Sequence, residues 1–569
     1  MKIIYNEHEL EISDNTTRLS DIVEKLSPNE MICGAFVNNR VSSLHYVLHS
    51  NDVVKTFDVR HDIGRRIYEN SILFICCMAL NKLYADVEFM VKFSLGGGIY
   101  IEAEGNFEFS SDVIYEVKAK IASVIKEDIP IVKGKYTKKQ IATFISEKRC
   151  TCDIDLFEYV KRDLSLFNEQ SDDIFVEVED SPMVYSLYEV DGFYGYFYSK
   201  MLTKTSQLRA FDVAKYDNGM VILPCSTENY DVALKLNPQR MLHAEQKSYE
   251  NWAKNLDVQF IATINDKVKS KLMTSLITVA EARHEQLITN MTNVIYEQRD
   301  IKRFILIAGP SSAGKTTTAK RLRTHLIAKG LKPISIELDN YFVDRVDTPL
   351  DEFGELDFEC IGAVDVTLFN KHLKLLMEGE EVEIPIYDFK EGRRSPVGRK
   401  ISVEKGNPII IEGIHGLNDA LTPDIKRANK YKIYVNDLTH INFDKFNRVP
   451  TSDIRLIRRI VRDNLTRGHD ALKTISMWQS VRRGEAKNIF PFAVDADFIF
   501  NSSLLYELSA LRKYAIPSLE RISEESCYYY EARRLINILS YFLPVEDESP
   551  IYSNSILKEY IGGNVFESM

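Results

Sequence analysis

The spacing of apolar residues changes along the chain and predicts more than one kind of fold. Residues 61–235 contain alternating runs that predict strands, such as Gln207–Leu223. Residues 236–300 contain little Gly or Pro and place apolar residues at helical spacing, which predicts a helix over Lys267–Glu297. From residue 301 onward, short apolar runs alternate with helical stretches. The chain is therefore expected to contain α+β parts followed by an α/β part.

The alternation in residues 301–510 predicts a doubly wound α/β domain with a mostly parallel sheet. Its predicted elements are strand Phe304–Ala308, helix Thr317–Lys329, strand Pro333–Leu338, helix Val366–Glu378, strands Val382–Phe389, Pro408–Glu412 and Lys432–Val435, paired helices across Asp453–Arg483, and strand Asp497–Asn501. Residues 511–569 are mainly helical in pattern. We expect this tail to pack on the α/β domain.

The first 60 residues predict a small β-rich module. Two short runs flank Asn6-Glu7-His8 as a hairpin, and helix Leu19–Leu26 and strands Cys33–Val37 and Val53–Val59 follow. This order resembles the ubiquitin-like TGS module at the front of threonyl-tRNA synthetases. The resemblance implies a β-grasp fold for residues 1–60.

Residues 61–235 resemble the second additional domain of threonyl-tRNA synthetase, which edits mischarged tRNA. The order that carries the resemblance is helix Arg66–Tyr84, helix Asp112–Lys126 and the strands that follow. That family's editing site needs an H-x-x-x-H on its first helix, and Tyr68–Cys77 contains no histidine. We therefore expect no zinc and no editing activity, and RNA binding by the N-terminal half stays an open alternative.

Together these patterns predict a multidomain chain of α+β and α/β parts, because 569 residues exceed one hydrophobic core. The predicted segments are a TGS-like β-grasp domain at 1–60, a domain like the second additional domain of threonyl-tRNA synthetase at 61–235, a helical connector at 236–300, a P-loop domain at 301–510 and a helical extension at 511–569.

Residues Gly309–Thr316 match G-x-x-x-x-G-K-[ST] between a predicted strand and a predicted helix, the context of a phosphate-binding P-loop. Glycines let backbone N–H groups turn toward phosphate oxygens, and the new helix points its positive end at the same anion. The predicted ATP-binding residues are Gly309, Ser311, Ser312, Ala313, Gly314, Lys315, Thr316 and Thr317. Lys315 is predicted to act on the β- and γ-phosphates, and the Thr316 hydroxyl to ligate Mg²⁺.

Two carboxylates follow predicted strands beside the P-loop. Asp339 comes directly after strand Pro333–Leu338 and could accept a proton from an attacking hydroxyl. The alternative for Asp339 is an Mg²⁺-organising or helix-capping role. Glu412 ends strand Pro408–Glu412 and is predicted to organise Mg²⁺ together with Thr316.

The stretch Asp453–Gly468 is rich in arginine although the protein is acidic overall. Arg455, Arg459 and Arg462 recur at i, i+4 and i+7, which places them on one helical face. Such a face could close over transferring phosphates and neutralise their charge. The alternative is a solvated basic face.

Five motifs resemble the uridine kinase/phosphoribulokinase family in the same order: Gly309–Thr316, Leu338–Phe342, Ile384–Phe389, Ile410–Gly413 and Arg458–Asp463. The resemblance implies that Asp339 is the base on a ribose 5′-hydroxyl. It further implies that Asp357 holds the ribose hydroxyls, that Tyr387 and Phe389 contact base and sugar, and that Arg394, Arg462 and Arg467 lie near nucleoside and phosphates. Nearly the whole chain resembles a longer subfamily with TGS and threonyl-tRNA-synthetase-like domains before the kinase.

The resemblance implies an ATP- and Mg²⁺-dependent nucleoside kinase that makes UMP from uridine, and CMP from cytidine. Two positions depart from it: Gly392 stands where uridine kinases have a base-reading histidine, and His469 stands where their lid has an arginine. Two alternatives stay open. One is a kinase for another small alcohol, and the other is an RNA-binding or regulatory protein that uses ATP as a switch.

Composition and net charge limit the kinds of binding partner that we expect. The net charge of −11 argues against bulk attraction to nucleic acid or to an anionic membrane. The sequence shows neither a membrane-length apolar stretch nor a signal-peptide pattern at its start, so a cytoplasmic protein is expected. The expected partners are a small-molecule nucleoside and further copies of the chain in a homo-oligomer.

Overall fold

The computed structural model describes residues 2–12, 16–27, 30–150, 152, 184–197, 199–351, 354, 356–388 and 391–568. The chain forms two compact units. Unit 1 contains Met1–Asn265, His440–Val449 and Ile522–Phe542, and unit 2 contains Asp266–Thr439, Pro450–Arg521 and Leu543–Met569. In these described parts, no helix is both long and apolar enough to cross a membrane.

The first sheet of unit 1 confirms the predicted hairpin and adds one strand. Its elements are β1 Lys2–Tyr5, β2 His8–Glu11, α1 Leu19–Leu26, β3 Ile32–Val37, β4 Arg40–Ser42 and β5 Val53–Asp58. The strand order is β2-β1-β5-β3-β4, with β1 parallel to β5 and the other pairs antiparallel. Strand β4 was not predicted because its three residues are too few to show an alternating pattern.

The rest of unit 1 is a mixed α and β region built around one long helix. Its elements are α2 Asp62–Leu83, β6 Phe89–Leu95, β7 Gly98–Ala103, α3 Ser111–Lys126, β8 Val132–Thr137, α4 Lys138–Ser146, β9 Val184–Val190, β10 Phe193–Gly195, β11 Asp212–Tyr216, β12 Gly219–Leu223, α5 Arg240–Asn255, α6 Ile261–Lys269 at the boundary with unit 2, and α13 Tyr529–Ser540. The sheet orders are β11-β12-β7-β6 and β10-β9-β8. Helix α2 is buried along Ser71–Leu80, which explains its apolar residues on every side.

The elements of unit 2 are α7 Met273–Glu297, β13 Phe304–Ala308, α8 Lys315–Ala328, β14 Ile334–Glu337, α9 Val366–Glu378, β15 Val382–Ile384, β16 Tyr387–Asp388, β17 Arg393–Arg394, β18 Arg399–Ile401, β19 Ile409–Glu412, β20 Lys430–Asn436, α10 Thr451–Arg462, α11 Ala471–Asn488, β21 Phe498–Asn501, α12 Glu507–Leu519 and α14 Lys558–Ile561. Five of its strands form one sheet in the order β14-β19-β13-β20-β21. Every pairing in this sheet is parallel, which confirms the predicted parallel α/β architecture.

The register of this sheet brings three strand ends together. Glu412 of β19 lies opposite Ile307 of β13 on one side and Glu337 of β14 on the other. The loops that leave these strands therefore start side by side. Ligands of open parallel sheets bind at this carboxyl edge.

Three sequence expectations differ from the structure. The predicted strand Val382–Phe389 is two short strands outside the parallel sheet, β15 paired with β18 and β16 paired with β17, because Pro385 between them cannot donate a ladder hydrogen bond. The predicted helix Lys267–Glu297 is divided after Lys269, where Lys271 adopts a positive φ of 59°. The tail is divided between the units, since residues 522–542 belong to unit 1 and residues 511–521 and 543–569 belong to unit 2.

The assignment of residues 1–60 and 61–235 to synthetase-like domains, and the five-segment division itself, stay predictions. Phe389, predicted to contact the nucleoside, lies outside the described residues.

Candidate active site

The loop between β13 and α8 has the geometry of a phosphate-binding loop. All residues of β13 are buried, and Gly309 follows them so closely against β20 that a Cβ there would come within 1.9 Å of the Val435 carbonyl oxygen. Ser312 and Gly314 both have positive φ, 57° and 86°, which turns the backbone before α8 starts at Lys315. A turned glycine loop directly before a helix N-terminus is the arrangement in which backbone amides can bind an anion.

Lys315 and Thr316 stand at the start of α8, both half-buried. The Lys315 ammonium lies 3.4 Å from the Pro310 carbonyl oxygen. Its charge also acts on the carboxyls of Asp339 and Glu412, since it lowers the pKa of each. The predicted phosphate-binding cation therefore lies next to both predicted acidic residues.

Asp339 lies in the 3₁₀ turn Leu338–Tyr341, directly after β14. Its carboxyl is accessible to solvent, but the protein crowded around it raises its pKa, and the charges of Lys315, Arg467 and Arg462 partly offset that rise. A carboxylate with a raised pKa is a stronger base and suits proton abstraction from a hydroxyl. The charges of Lys315, Arg462 and Arg467, which are predicted to act with Asp339 in catalysis, therefore all act on its carboxyl.

Glu412 is the second acidic residue of the site. Burial raises its pKa to about 8, Lys315 lowers it, and the carboxylates of Asp339, Glu337 and Glu559 raise it further. Mutual repulsion of this kind favours a cation among the carboxylates, and their oxygens with the Thr316 hydroxyl form a donor set that fits Mg²⁺. In the described residues no group of three or more His, Cys, Asp or Glu side chains forms a ready-made metal site. Mg²⁺ at kinase sites typically uses one or two carboxylates together with substrate phosphates.

The arginine face of α10 was predicted either to close over the phosphates or to lie in solvent. Arg455 does neither, because it is buried. Arg455 and Arg458 are 1% and 0% exposed. Arg455 pairs with Glu485 and also donates to the Ser311 carbonyl oxygen at 3.0 Å. Arg458 pairs with Glu507 at 2.6 Å and donates to the Ser312 carbonyl oxygen at 3.4 Å. Both arginines therefore hold the phosphate loop from inside the protein.

Asp463 gathers the remaining arginines at the end of α10. This buried carboxylate lies 3.3 Å from Arg459, 3.1 Å from Arg462 and 3.7 Å from Arg467. Arg459 also donates to the Ser311 hydroxyl at 2.8 Å. Arg467 is half exposed, and burial together with the charge of Arg462 lowers its pKa to about 10. Arg462 and Arg467 are thus the arginines whose charge reaches Asp339.

Glu485 was not predicted from the sequence, although it contacts the phosphate loop directly. Its carboxylate accepts a 2.9 Å hydrogen bond from the Ser311 N–H in addition to those from Arg455. Burial acts to raise the pKa of Glu485, but the charge and hydrogen bonds of Arg455 outweigh it and hold the pKa below its usual range. A signal was present, since Glu485 lies on the buried stripe of α11 with Ile475, Trp478 and Val481, where a charged residue needs a partner.

Glu359 is a further carboxyl near this centre that the sequence analysis did not single out. Burial and the charge of Glu485 raise its pKa to about 7, while Arg459 and Lys315 lower it. Its Cβ approaches Gly484 so closely that a Cβ at position 484 would lie 2.4 Å away. No sequence motif marked this contact, because it joins a loop to a helix more than a hundred residues later.

Arg394 and Tyr387, which are predicted to bind the acceptor, both contact the turn that carries Asp339. Arg394 donates to the Phe342 and Tyr341 carbonyl oxygens, each at 3.0 Å, and pairs with Asp365 at 3.2 Å. It therefore braces the turn that carries Asp339. Tyr387 is buried, its ring packs edge-on against Phe342 at 5.7 Å, and its N–H donates to Asn340 at 3.2 Å. Both contacts join β16 to the segment Leu338–Phe342 that carries Asp339.

Asp357 is half-buried, and its carboxylate accepts a 3.1 Å hydrogen bond from the Glu359 N–H. The charge of Asp357 also reaches the imidazole of His415, which follows β19 and is fully buried. Burial lowers the pKa of His415 to about 4, so the ring is neutral at physiological pH. The acceptor roles of Asp357, Tyr387 and Arg394 stay predictions.

The region that contains these residues is similar in sequence to known kinases. The phosphoribulokinase / uridine kinase family profile matches residues 304–504. The uridine kinase of Halobacterium salinarum is 31% identical over 164 residues, which are 29% of this chain and 64% of that protein, so the match spans slightly less than two thirds of it. The uridine kinase of Ligilactobacillus salivarius is 33% identical over 174 residues, 31% of this chain and 72% of that protein. A uridine kinase of Clostridium botulinum is 31% identical over 185 residues, 32% of this chain and 80% of that protein.

The matched region contains the phosphate loop, Asp339, Glu412 and the arginine helix, whereas Glu507 and Glu559 lie beyond it. Through residues 304–504, this chain belongs to the phosphoribulokinase / uridine kinase family.

Proposed function

We propose that the protein transfers the γ-phosphoryl group of ATP to the 5′-hydroxyl of a nucleoside, with uridine as the main acceptor and cytidine as the second. The observation that carries this proposal is the position of Asp339 at the carboxyl edge of the parallel sheet, close to Lys315, Arg462 and Arg467. A base beside a phosphate-binding lysine can act on an acceptor hydroxyl, whereas a nucleotide switch would not need one.

Each side chain has a chemical task in this reaction. ATP with Mg²⁺ supplies the phosphoryl group and part of its charge neutralisation when bound. Asp339 accepts the proton of the attacking hydroxyl, and Lys315 compensates negative charge on the phosphates. Thr316 and Glu412 would hold Mg²⁺ through their oxygens. Arg462 and Arg467 add positive charge near Asp339, where charge develops during transfer.

Uridine as acceptor is supported by the relatives, which are uridine kinases in three different organisms. The sequence Ile384–Phe389, within the matched region, also resembles the acceptor motif of that family. Cytidine is proposed second because the family resemblance implies both pyrimidine nucleosides.

A second candidate is a kinase for another small alcohol, and one observation favours it. Gly392 stands where uridine kinases have a base-reading histidine. In this chain Gly392 has a φ of 71°, and a Cβ there would lie 2.7 Å from the Arg345 side chain. Arg345 therefore takes the space beside this position, so a base would need to be recognised by other groups.

The test is turnover of the full-length protein with ATP, Mg²⁺ and a panel of acceptors. We expect a 5′-monophosphate from uridine and a smaller yield from cytidine, detected by chromatography, and no such product from Asp339→Asn. Product from a sugar or another alcohol but from none of the nucleosides would favour the second candidate. Binding of ATP without turnover on any acceptor would contradict both kinase assignments.

A further inference from the structure

The C-terminal segment Asn554–Ile561, here called the tail segment, lies against the phosphate loop within unit 2. Ile556 packs on the start of α8, where a Cβ at Gly314 would come within 2.8 Å of its side chain. The Tyr560 hydroxyl, fully buried, donates to the Ser312 carbonyl oxygen at 2.9 Å. The tail segment is therefore part of the wall of the proposed nucleotide site.

Glu559 of the tail segment contacts Thr317, which directly follows the P-loop motif and is predicted to bind ATP. Its carboxylate accepts a 2.6 Å hydrogen bond from the Thr317 hydroxyl and a 3.4 Å hydrogen bond from the Thr317 N–H. Thr317 is 2% exposed and lies in the first turn of α8. A negatively charged side chain thus occupies donors that a phosphate would use.

We propose that Glu559 sets the nucleotide affinity of this site by competing with a nucleotide phosphate for Thr317. The inference rests on the nucleotide-binding part of the proposed function and adds a residue to which neither the P-loop motif nor the matched region 304–504 assigns a role. Its consequence is that nucleotide binding requires the Glu559 carboxylate to leave Thr317.

The competition follows from hydrogen-bond counting and from charge. The Thr317 hydroxyl has one hydrogen to donate, so it can serve the carboxylate or a phosphate oxygen but not both. The positive end of α8 attracts either anion, and a carboxylate and a phosphate at the same donor would repel each other. The charge of Glu559 also reaches Glu412, whose pKa it raises, so its effect extends to the proposed Mg²⁺ side of the site.

The tail segment does not depend on Glu559 for its position. The Ser555 hydroxyl donates to Glu281 at 2.5 Å, and Asn554 donates to Glu285 at 2.8 Å, both on α7. Tyr560 keeps its bond to the phosphate loop. A change at Glu559 alone should therefore remove the competing charge without releasing the tail segment.

The experiment measures ATP and ADP binding to the full-length protein by calorimetry with Mg²⁺ and without an acceptor. Glu559→Gln keeps the shape and an amide oxygen for the Thr317 hydroxyl but removes the charge. We expect ATP to bind about tenfold more tightly to this variant, the scale of one charge-assisted hydrogen bond. Glu559→Ala should bind ATP at least as tightly as Glu559→Gln.

The matched control is Glu548→Gln, which removes the same charge from a carboxylate that pairs with Lys513 and Tyr514 away from the loop. It should leave ATP affinity at the wild-type value.

Unchanged or weaker ATP binding by both Glu559 variants, with wild-type melting temperatures, would overturn the competition. If wild type binds ATP and phosphorylates a nucleoside while the Glu559 variants bind no more tightly, only this inference fails. If neither wild type nor variants bind ATP, the nucleotide assignment fails with it.

Discussion

Glu485 and Arg455 form a doubly hydrogen-bonded ion pair, with distances of 2.5 and 2.8 Å, whose side chains are 0% and 1% exposed. The same pair holds Ser311 from both sides, since Glu485 accepts from its N–H and Arg455 donates to its carbonyl oxygen. A buried ion pair adds little net stability because desolvation cancels much of its attraction. We interpret its main effect as positioning of the phosphate loop.

The first prediction tests this pair through stability and nucleotide binding. Glu485→Ala leaves the Arg455 charge buried without its partner, which should lower the free energy of unfolding by about 3–5 kcal/mol. Where the variant remains folded, the loop loses the acceptor for the Ser311 N–H, so its affinity for ATP should fall. Thermal unfolding and calorimetry measure the two effects. Lys487→Ala, an exposed change on the same helix, is the control and should alter neither.

The second prediction concerns Lys315. Lys315→Ala should lower kcat by about 10²-fold or more, because the side chain faces the phosphate region and supplies charge where negative charge builds up. Its half-buried position outside the apolar core means that the melting temperature should change little. Lys320→Ala, farther along α8, should keep full turnover. A well-folded Lys315→Ala variant with normal activity would refute the kinase assignment.

The third prediction concerns the base. Asp339→Asn preserves shape but removes the proton acceptor, so kcat should fall by on the order of 10²-fold or more while ATP binding persists. Steady-state kinetics and calorimetry separate the two effects. Asp347→Asn makes the same chemical change at an exposed position a few residues away and should have normal kinetics. Lost ATP affinity with normal turnover in Asp339→Asn would reassign this residue to nucleotide binding.

The fourth prediction is a pH dependence of stability caused by Glu359. Its pKa is raised from 4.5 to about 7 in the folded protein, so the folded state holds a proton that the unfolded state has lost between these pH values. Stability should therefore fall as the pH rises from about 4.5 through 7. Glu359→Gln removes this loss, so its melting temperature relative to wild type should be higher at pH 8 than at pH 5. Glu378→Gln, exposed at the end of α9, is the control, and its melting temperature should change with pH as that of the wild type does. A melting-temperature difference between Glu359→Gln and wild type that is equal at both pH values would contradict the assignment.

The fifth prediction concerns residues 1–235. Helix α2 carries no histidine on the turns where the synthetase editing site needs a pair, and its Ser71–Leu80 stretch is buried. The full-length protein should therefore contain no stoichiometric zinc and should not deacylate mischarged tRNA. Metal analysis by mass spectrometry and a deacylation assay test this directly. Zinc at one equivalent, or measurable deacylation, would contradict this prediction.

Asp339 and Arg394 show which features a local sequence pattern can predict and which it cannot. The strand before Asp339 and the position of Asp339 at its end were predictable, because an apolar run followed by a carboxylate is a local signal. The role of Arg394 was not, since its contacts with Tyr341, Phe342 and Asp365 join residues up to 53 positions apart. Motif resemblance predicts Arg394 near the substrate, and packing adds that it braces the turn that carries Asp339.

Short-range patterns of apolar, glycine and charged residues are enough to predict the phosphate loop, the parallel α/β domain and the candidate base. Which charges face the site depends on tertiary packing. Arg455 and Arg462 lie on one face of α10, yet Arg455 is buried against Glu485 while Arg462 reaches Asp339. The contact between Glu559 and Thr317 joins residues 242 positions apart. Pairings of this kind depend on how distant segments pack. A buried charge without a partner would cost a large desolvation free energy, so a buried charge needs a partner.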